Sequence, residues 1–400
     1  VNRTRVFGAL AIALVAVVPV SLGSTAGADQ GGVPNDNATF GQSHKPVCPD
    51  TGQPGLAHCH AEIVTDAQGN PMVTPGPAGY GPADLASAYK LPATGTGQTV
   101  AIVDAYNDPT AELDLAAYRN QYGLAPCTTT NLCFQKVDQT GGTAYPATDA
   151  GWAQEISLDL DTVSATCPNC KILLVETKSA YMTDLGAGVD TAARLGANAI
   201  SNSYGGNEYS TETNDEAHFN HPGVAVTVST GDAGYGVEFP ASSRYVTGVG
   251  GTTLNHASNV RGWTETAWSG AGSGCSSVIA KPSWQHDAGC AKRTVADVSA
   301  VANPNTGVAV YDSTPYQGAS GWMVFGGTSL SSPLIASVYA LNGTSSTYSN
   351  SYPYSHTASL FDVTSGTNGH CRRNVTYLCT AGAGYDGPTG LGTPNGAGAF

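Results

Sequence analysis

The sequence predicts an α/β fold, a parallel β-sheet flanked by helices on both faces, and two patterns carry that expectation. Short, near-continuous apolar runs bounded by turn residues suit strands buried on both faces. Helix-length segments alternate with them, as crossover connections between parallel strands require. In chain order, residues 99–104 (TVAIVD) form the first such strand and 113–122 the helix after it. Residues 152–165 are a second helix, followed by the strand 171–176 (KILLVE) and a helix over 180–195. The strand 199–203 (AISNS), the polar helix 211–220, and the strands 224–229 (VAVTVS) and 245–249 (YVTGV) complete the alternation. Residues 334–341 are an apolar run directly after the Gly-rich stretch 326–333 (GGTSLSSP), which marks a turn feeding a further helix.

The 400 residues are ample for a buried core. Charged residues make up only 12%, against about 25% in an average soluble protein, and 50 residues are glycine, so a coiled coil and a charged disordered tail are excluded. Lys and Arg total 16 against 30 Asp and Glu, a net charge of -14. That balance opposes a phosphate-binding surface, and nucleic acid is not an expected partner. Arg3 and Arg5 precede an apolar run over 6–22 and the small residues 24–28, ending in Ala26-Gly27-Ala28. These are the parts of a secretory signal peptide over 1–28, and the run is short for an uncleaved span of ~20 residues. The expected location is secreted, extracellular, with no membrane attachment once the signal is removed.

Residues 29–80 are rich in Gly, Pro, Asn and Gln without sustained periodicity, and are expected to be a loosely folded prosegment or linker pinned by one disulfide. Residues 81–400 then form a single domain. The ten cysteines fall into neighbours, Cys48 with Cys59, Cys127 with Cys133, Cys167 with Cys170, Cys275 with Cys290 and Cys371 with Cys379. An even count in an exported chain reads as disulfides, and short-range pairing is expected because each would pin a local loop. Cys167-Pro-Asn-Cys170 has redox-motif spacing and His58-Cys59-His60 resembles a fragment of a metal site, but neither has a second half at ligand spacing.

Ser329, in Gly327-Thr328-Ser329 at the start of the apolar run, presents a hydroxyl where helix N–H groups and the dipole favour developing negative charge. It reads equally as a simple helix cap. A serine nucleophile needs a base, usually histidine, yet none of the nine histidines lies in a Gly-flanked His-Gly-Thr-His type motif. Carboxylates stand in more suggestive places. Glu155 and Asp159 are four residues apart and so share one helix face, although a solvated acidic face has the same spacing. Asp232 follows the strand 224–229 at the end where open α/β sheets bind ligands, or else is a turn residue. Asp362 and Asp386, with the glycine-rich stretch 382–384, offer the hard oxygen ligands that Ca²⁺ takes.

Taken in order, several stretches resemble the sedolisin family, serine-carboxyl peptidases that share the subtilisin fold and replace the catalytic histidine with acids. They are Glu155-x-x-x-Asp159, Ser201-Asn202-Ser203-Tyr204-Gly205-Gly206, Gly231-Asp232, Phe239-Pro240-Ala241, Val249-Gly250-Gly251-Thr252, Ala296-Asp297-Val298-Ser299, Gly327-Thr328-Ser329 with Pro333, Asp362-Val363-Thr364, and Gly384-Tyr385-Asp386 with Thr389-Gly390. The resemblance implies a subtilisin-like domain over 81–400 that hydrolyses peptide bonds of proteins at acidic pH. Ser329 would be the nucleophile, Glu155 the base, Asp159 its charge-sharing partner, and Asp232 the donor to the oxyanion. Ser203, Tyr204 and Gly205 would lie beside an extended substrate. One structural Ca²⁺ would be held by the side chains of Asp362 and Asp386 and the carbonyls of Val363, Gly382 and Gly384. The expected protein is a monomer whose partners are protein or peptide substrates. The alternative is a catalytically silent secreted binding protein on the same scaffold, suggested by a prosegment much shorter than sedolisins usually carry. Asp104 occupies a position like that of the aspartate of true subtilisins and, without a histidine, is assigned a structural role.

Overall fold

The computed structural model describes residues 1–2, 43–343 and 350–400. The expected signal peptide, beyond Val1 and Asn2, lies outside the described residues. Along the chain the strands are β1 (Ser43–Pro46), β2 (His58–Cys59), β3 (Glu62–Thr65), β4 (Thr99–Ala105), β5 (Phe134–Asp138), β6 (Lys171–Thr177), β7 (Ala199–Asn202), β8 (Tyr204–Asn207), β9 (Ala225–Ser229) and β10 (Glu238–Phe239). They continue as β11 (Thr247–His256), β12 (Trp263–Ala267), β13 (Gly274–Ala280), β14 (Lys292–Val295), β15 (Val298–Val301), β16 (Val308–Tyr316), β17 (Ala319–Gly326), β18 (Leu360–Phe361) and β19 (Thr393–Pro394). The helices that matter are α1 (Pro82–Tyr89), α2 (Ala111–Gln121), α3 (Ala150–Thr166), α4 (Met182–Arg194), the short α5 (Glu212–Asp215) and α6 (Thr328–Asn342).

The central sheet has the order β12-β11-β9-β7-β4-β6-β5, with β15 also paired to β11. Every pairing is parallel except that of the edge strand β12 with β11. The expected parallel sheet is therefore present, with one antiparallel edge. Successive residues of β4 point to opposite faces. Val103 packs beneath Gly188 of α4, whereas Asp104 faces the acids of α3, so the helices cover both faces. Buried apolar side chains from the sheet and from α1, α2, α3, α4 and α6 form one contiguous core.

A second, antiparallel sheet runs β1-β3-β17-β16. It corrects the expectation for residues 43–80. Glu62–Thr65 is buried along its whole length, and Ile63 pairs with Phe325. The segment was expected to be loose because it lacks periodicity; its strands are short and find their partners far away, in β17 and β8. The β16–β17 hairpin and β5 are likewise elements that the expected list omits. The polar helix expected over 211–220 is only α5 followed by a 3₁₀ turn, Glu216–Phe219. All ten cysteines pair with their sequence neighbours as expected.

Candidate functional site

Helix α3 starts at Asp149, whose carboxylate accepts from the N–H groups of Gly151 (3.0 Å) and Trp152 (3.1 Å) and so satisfies two of the orphan donors of the first turn. Every residue from Gly151 to Thr166 is buried. The solvated-face reading of Glu155 and Asp159 is thereby excluded: both are fully buried, one turn apart. Asp104, on β4, is buried beside them with neither carboxylate oxygen hydrogen-bonded. Burial, and then the adjacent Asp104 carboxyl, push both Glu155 and Asp159 well above the ordinary carboxylate range. Burial and then Glu176 push Asp104 itself up to about 8. Three acids packed together in low dielectric cannot all ionise, so protons are shared among them.

Ser329 stands in the first turn of α6, with Gly327 immediately before the helix at φ 93°. A Cβ at Gly327 would lie 1.9 Å from the His60 carbonyl oxygen and 2.5 Å from Asp232 Oδ2, so both the left-handed backbone and this close approach require glycine. Pro333 has no N–H to return to the Ser329 carbonyl four residues earlier. The Ser203 hydroxyl lies 3.3 Å from that carbonyl, and 2.9 and 2.8 Å from the two oxygens of Asp159. A neutral Asp159 can donate to Ser203 and leave the serine proton for the helix carbonyl. The Ser329 hydroxyl donates to the Ser203 carbonyl (3.2 Å) and sits close enough to Glu155 to draw its pKa down. Among the described residues, no histidine is hydrogen-bonded to Ser329.

Asp232 follows β9 and faces the start of α6. Its Oδ1 accepts from the Thr328 N–H (2.8 Å) and hydroxyl (2.7 Å), while the same hydroxyl accepts from the Gly231 N–H (3.1 Å). Oδ2 is buried and has no hydrogen-bond partner. Burial, together with the nearby Glu62, raises Asp232 to about 8, against a lowering from His60. The acid therefore carries a proton at neutral and acid pH, on the oxygen left free.

The structure brings Ser329, Glu155, Asp159 and Asp232 together, and it places Ser203, Tyr204 and Gly205 alongside them. These last three are already engaged. His58 pairs antiparallel with Gly205, Cys59 with Tyr204, and the His60 N–H donates to the Ser203 carbonyl (3.2 Å). The Ala61 N–H donates to Glu155 Oε2 (2.8 Å). The His60 ring joins Ser229 Oγ through Nδ1 (2.6 Å) and Glu238 Oε2 through Nε2 (2.9 Å). Glu238 completes the group that His58-Cys59-His60 suggested, since one ligand atom from each of His58, His60 and Glu238 lies close to the others. Both His60 nitrogens are nevertheless committed to protein partners, and Cys59 is bonded to Cys48.

The C-terminal acids also converge. Asp386 Oδ2 accepts from the Gly382 N–H (2.9 Å) and Asp362 Oδ2 from the Gly384 N–H (2.9 Å), while Thr389 holds the other oxygen of Asp386. Burial, opposed by its hydrogen bonds and aided by Asp362, raises Asp386 to about 7. Among the described residues, the carbonyls of Val363, Gly382 and Gly384 accept no hydrogen bond. Two adjacent carboxylates and three uncommitted carbonyls are a donor set that fits a hard divalent cation. The parts of the site that sequence reasoning did not reach are Asp104 as a member of the acid cluster, and Glu238, His60 and Ala61. Only the Asp104 position carried a readable signal, the last acid on a buried strand.

The subtilase family matches residues 139–360, more than half of the chain. The chain is 32% identical to kumamolisin of Bacillus sp. (strain MN-32) over 80% of its own length and 63% of that protein's. It is 33% identical to sedolisin of Pseudomonas sp. (strain 101) over 43% of this chain and 33% of that one. It therefore spans less than two thirds of the length of these relatives. Among solved structures, Pseudomonas sedolisin, a serine-carboxyl proteinase complexed with two molecules of pseudo-iodotyrostatin, superposes with a TM-score of 0.66 at 26% identity, covering 80% of this chain and 96% of that one. With the buried acid pair in place of histidine and the serine at the helix start, the chain belongs to the subtilase family and, within it, to the sedolisin group.

Proposed function

We propose that this protein is a secreted serine-carboxyl endopeptidase that hydrolyses protein substrates at acidic pH. The observation that carries the reading is the convergence of Ser329 with a buried, proton-sharing Glu155–Asp159 pair and with Asp232, whose free oxygen is positioned to donate. Ser329 Oγ adds to the scissile carbonyl while Glu155 takes its proton. Asp159 shares the charge, and Asp232 donates a hydrogen bond to the oxyanion. Glu155 then returns the proton to the leaving amine, and water releases the acyl group by the same steps. The donor role suits acid conditions, because a donor acid must be protonated, and sharing of charge with Asp159 lets one carboxylate of the pair accept the serine proton. Ser203, Tyr204 and Gly205 pair with the substrate as an added strand.

Five disulfides favour an oxidising compartment, in keeping with a signal peptide over 1–28, and among the described residues no helix is long and apolar enough to cross a membrane. The side chains of Asp362 and Asp386, with the carbonyls of Val363, Gly382 and Gly384, would hold Ca²⁺; the ion would supply positive charge that ties the glycine-rich C-terminal loop to the domain. The deciding assay follows hydrolysis of a denatured protein from acid to neutral pH by wild type and Ser329→Ala. The expected result is acid-favoured activity abolished in the variant; activity that survives in Ser329→Ala, or that peaks at alkaline pH, would overturn the proposal.

A further inference from the structure

Three buried aspartates meet where α2, α3 and β16 come together. Asp108 lies in the loop between β4 and α2, Asp114 at the end of the first turn of α2, and Asp312 on β16. All three are buried, and one oxygen of each lies within 4.8 Å of the others. None has a part in the catalytic reading, and none belongs to the C-terminal group of Asp362 and Asp386. Among the described residues, none of the three carboxylates forms an ion pair. Lys136 gives its Nζ to Glu176 (2.8 Å), to Asn107 Oδ1 (2.7 Å) and to the backbone carbonyl of Asp108, not to the Asp108 carboxylate. Buried anions persist where they are paired or coordinate a cation.

The side chain that points to a ligand is Gln154, on α3. It is fully buried, and its Nε2 meets Asp312 Oδ2 and the Thr314 carbonyl (3.1 Å), so the amide is aimed into the cluster. Oε1 of the same amide has no hydrogen-bond partner, and an amide oxygen buried in that state is costly. The two ends of an amide have nearly the same shape. Turned end for end, the side chain sets Oε1 against the carboxylates, a contact that is favourable only with a cation between them. The threonines of the cluster show the same shortage of positive charge. Thr110 Oγ1 lies 3.1 Å from Asp108 Oδ1, 2.6 Å from Asp114 Oδ2 and 2.9 Å from Thr314 Oγ1, which is itself 3.3 Å from Asp108 Oδ1. Each hydroxyl has one proton to give, so with ionised carboxylates two of these four contacts have no proton between the oxygens.

We propose that Asp108, Asp114 and Asp312, completed by Gln154 Oε1 and the hydroxyl oxygens of Thr110 and Thr314, form a divalent-cation site that takes Ca²⁺. A donor set made wholly of protein oxygens, one from each of these six side chains, suits Ca²⁺, which accepts about six to eight oxygens in flexible geometry. Mg²⁺ demands a near-ideal octahedron and keeps several of its waters. The ion ties the β4–α2 loop and the first turn of α2 to β16 and α3. It thereby fixes the backbone that leaves β4 just after Asp104, where the Asp108 N–H also donates to Glu176 Oε1 (2.8 Å). The site stands apart from the catalytic reading and shares no residue with the C-terminal group.

The test uses the full chain carrying Ser329→Ala as parent. It is stripped with chelator and dialysed at pH 7 against about 1 mM Ca²⁺, a level at which extracellular calcium modules fill. Bound calcium per folded chain is then counted by elemental analysis. The parent is expected to hold two ions, and to hold one after addition of either Asp386→Asn or Asp114→Asn. Gln154→Leu, added to Asp386→Asn, is expected to weaken the remaining ion about tenfold in a calcium titration. Asp386→Asn leaves the three aspartates untouched, so its count decides the matter even where Asp114→Asn fails to fold. A parent that holds one ion and loses it in Asp386→Asn overturns this inference and leaves the C-terminal site standing. An ion that survives Asp386→Asn and is unaffected by both Asp114→Asn and Gln154→Leu overturns it as well. One ion that survives Asp386→Asn but not Asp114→Asn upholds this site and removes the C-terminal one, and a chain that binds no calcium overturns both.

Discussion

Replacing Asp104 with asparagine tests the buried acid cluster through its effect on stability. Asp104 has an ordinary value of 3.8 and is raised to about 8 in the fold, by burial first and Glu176 second. The folded chain therefore keeps a proton that the unfolded chain releases above about pH 4. For a group raised in this way, stability is full below the unfolded pKa and declines as pH rises, levelling off above about 8. One pKa unit corresponds to about 1.4 kcal/mol, so a proton held on Asp104 would cost wild type up to about 4 kcal/mol between pH 4 and 7, and less to the extent that Glu155 and Asp159 share it. Asparagine does not titrate. Urea unfolding of Asp104→Asn and of its parent, both carrying Ser329→Ala to prevent self-digestion, is measured from pH 4 to 8. The variant starts from its own offset, since its amide needs partners that the two orphan oxygens of Asp104 lack. Its stability relative to the parent is expected to rise by up to about 1.4 kcal/mol per pH unit over that range. Parallel stability curves for the two proteins would refute the assignment of a shared proton to Asp104.

Asp232→Ala should lower kcat by about 10²–10³-fold with KM little changed, as for loss of one oxyanion donor, and a kcat within threefold of wild type would remove Asp232 from that role. Because Asp232 is raised to about 8, it is protonated below that value and loses its proton above it, so wild-type kcat should fall as pH rises through about 8; a rise there would contradict the donor role. Chelating divalent cations should lower Tm by several degrees more in wild type than in Asp386→Asn, and equal shifts in the two proteins would place the cation elsewhere. Leu334→Ala, which opens a fully buried position in α6, should cost about 2–5 kcal/mol in urea unfolding; a loss below 1 kcal/mol would show that α6 does not anchor the core.

The parallel strands were legible because β4, β6, β7 and β9 are short, largely apolar runs bounded by turn residues, as strands buried on both faces are. Segment 43–80 was not, because β1, β2 and β3 have two to four residues each, and β2 and β3 depend on partners more than a hundred residues away for their place in a sheet, with β1 paired to β3. The positions of Ser329, Glu155, Asp159 and Asp232 could be read from ordered motifs; their burial could not, since a pair of acids four residues apart has the same sequence on a wet helix face as in a core. Glu238 and His60 lie 178 residues apart and meet only through β2, β8 and β10. No local signal marks such a pair, because the contact belongs to the tertiary fold alone.

Helix α3, enclosed along nearly its full length, also bears on how the protein fails when heated. Opening that exposes Glu155 and Asp159 requires separating α3 from the sheet, from α6 and from β16 together, so its amides belong to the slowest-exchanging class, those released only by global unfolding. The acid pair has no hinge of its own. Partial melting near the chain ends can free or block the cleft, but it cannot misalign these two carboxyls by degrees. Displacement of this pair is therefore expected to coincide with loss of the core around α3, and a protein that has kept α3 in place has kept these two acids in place as well.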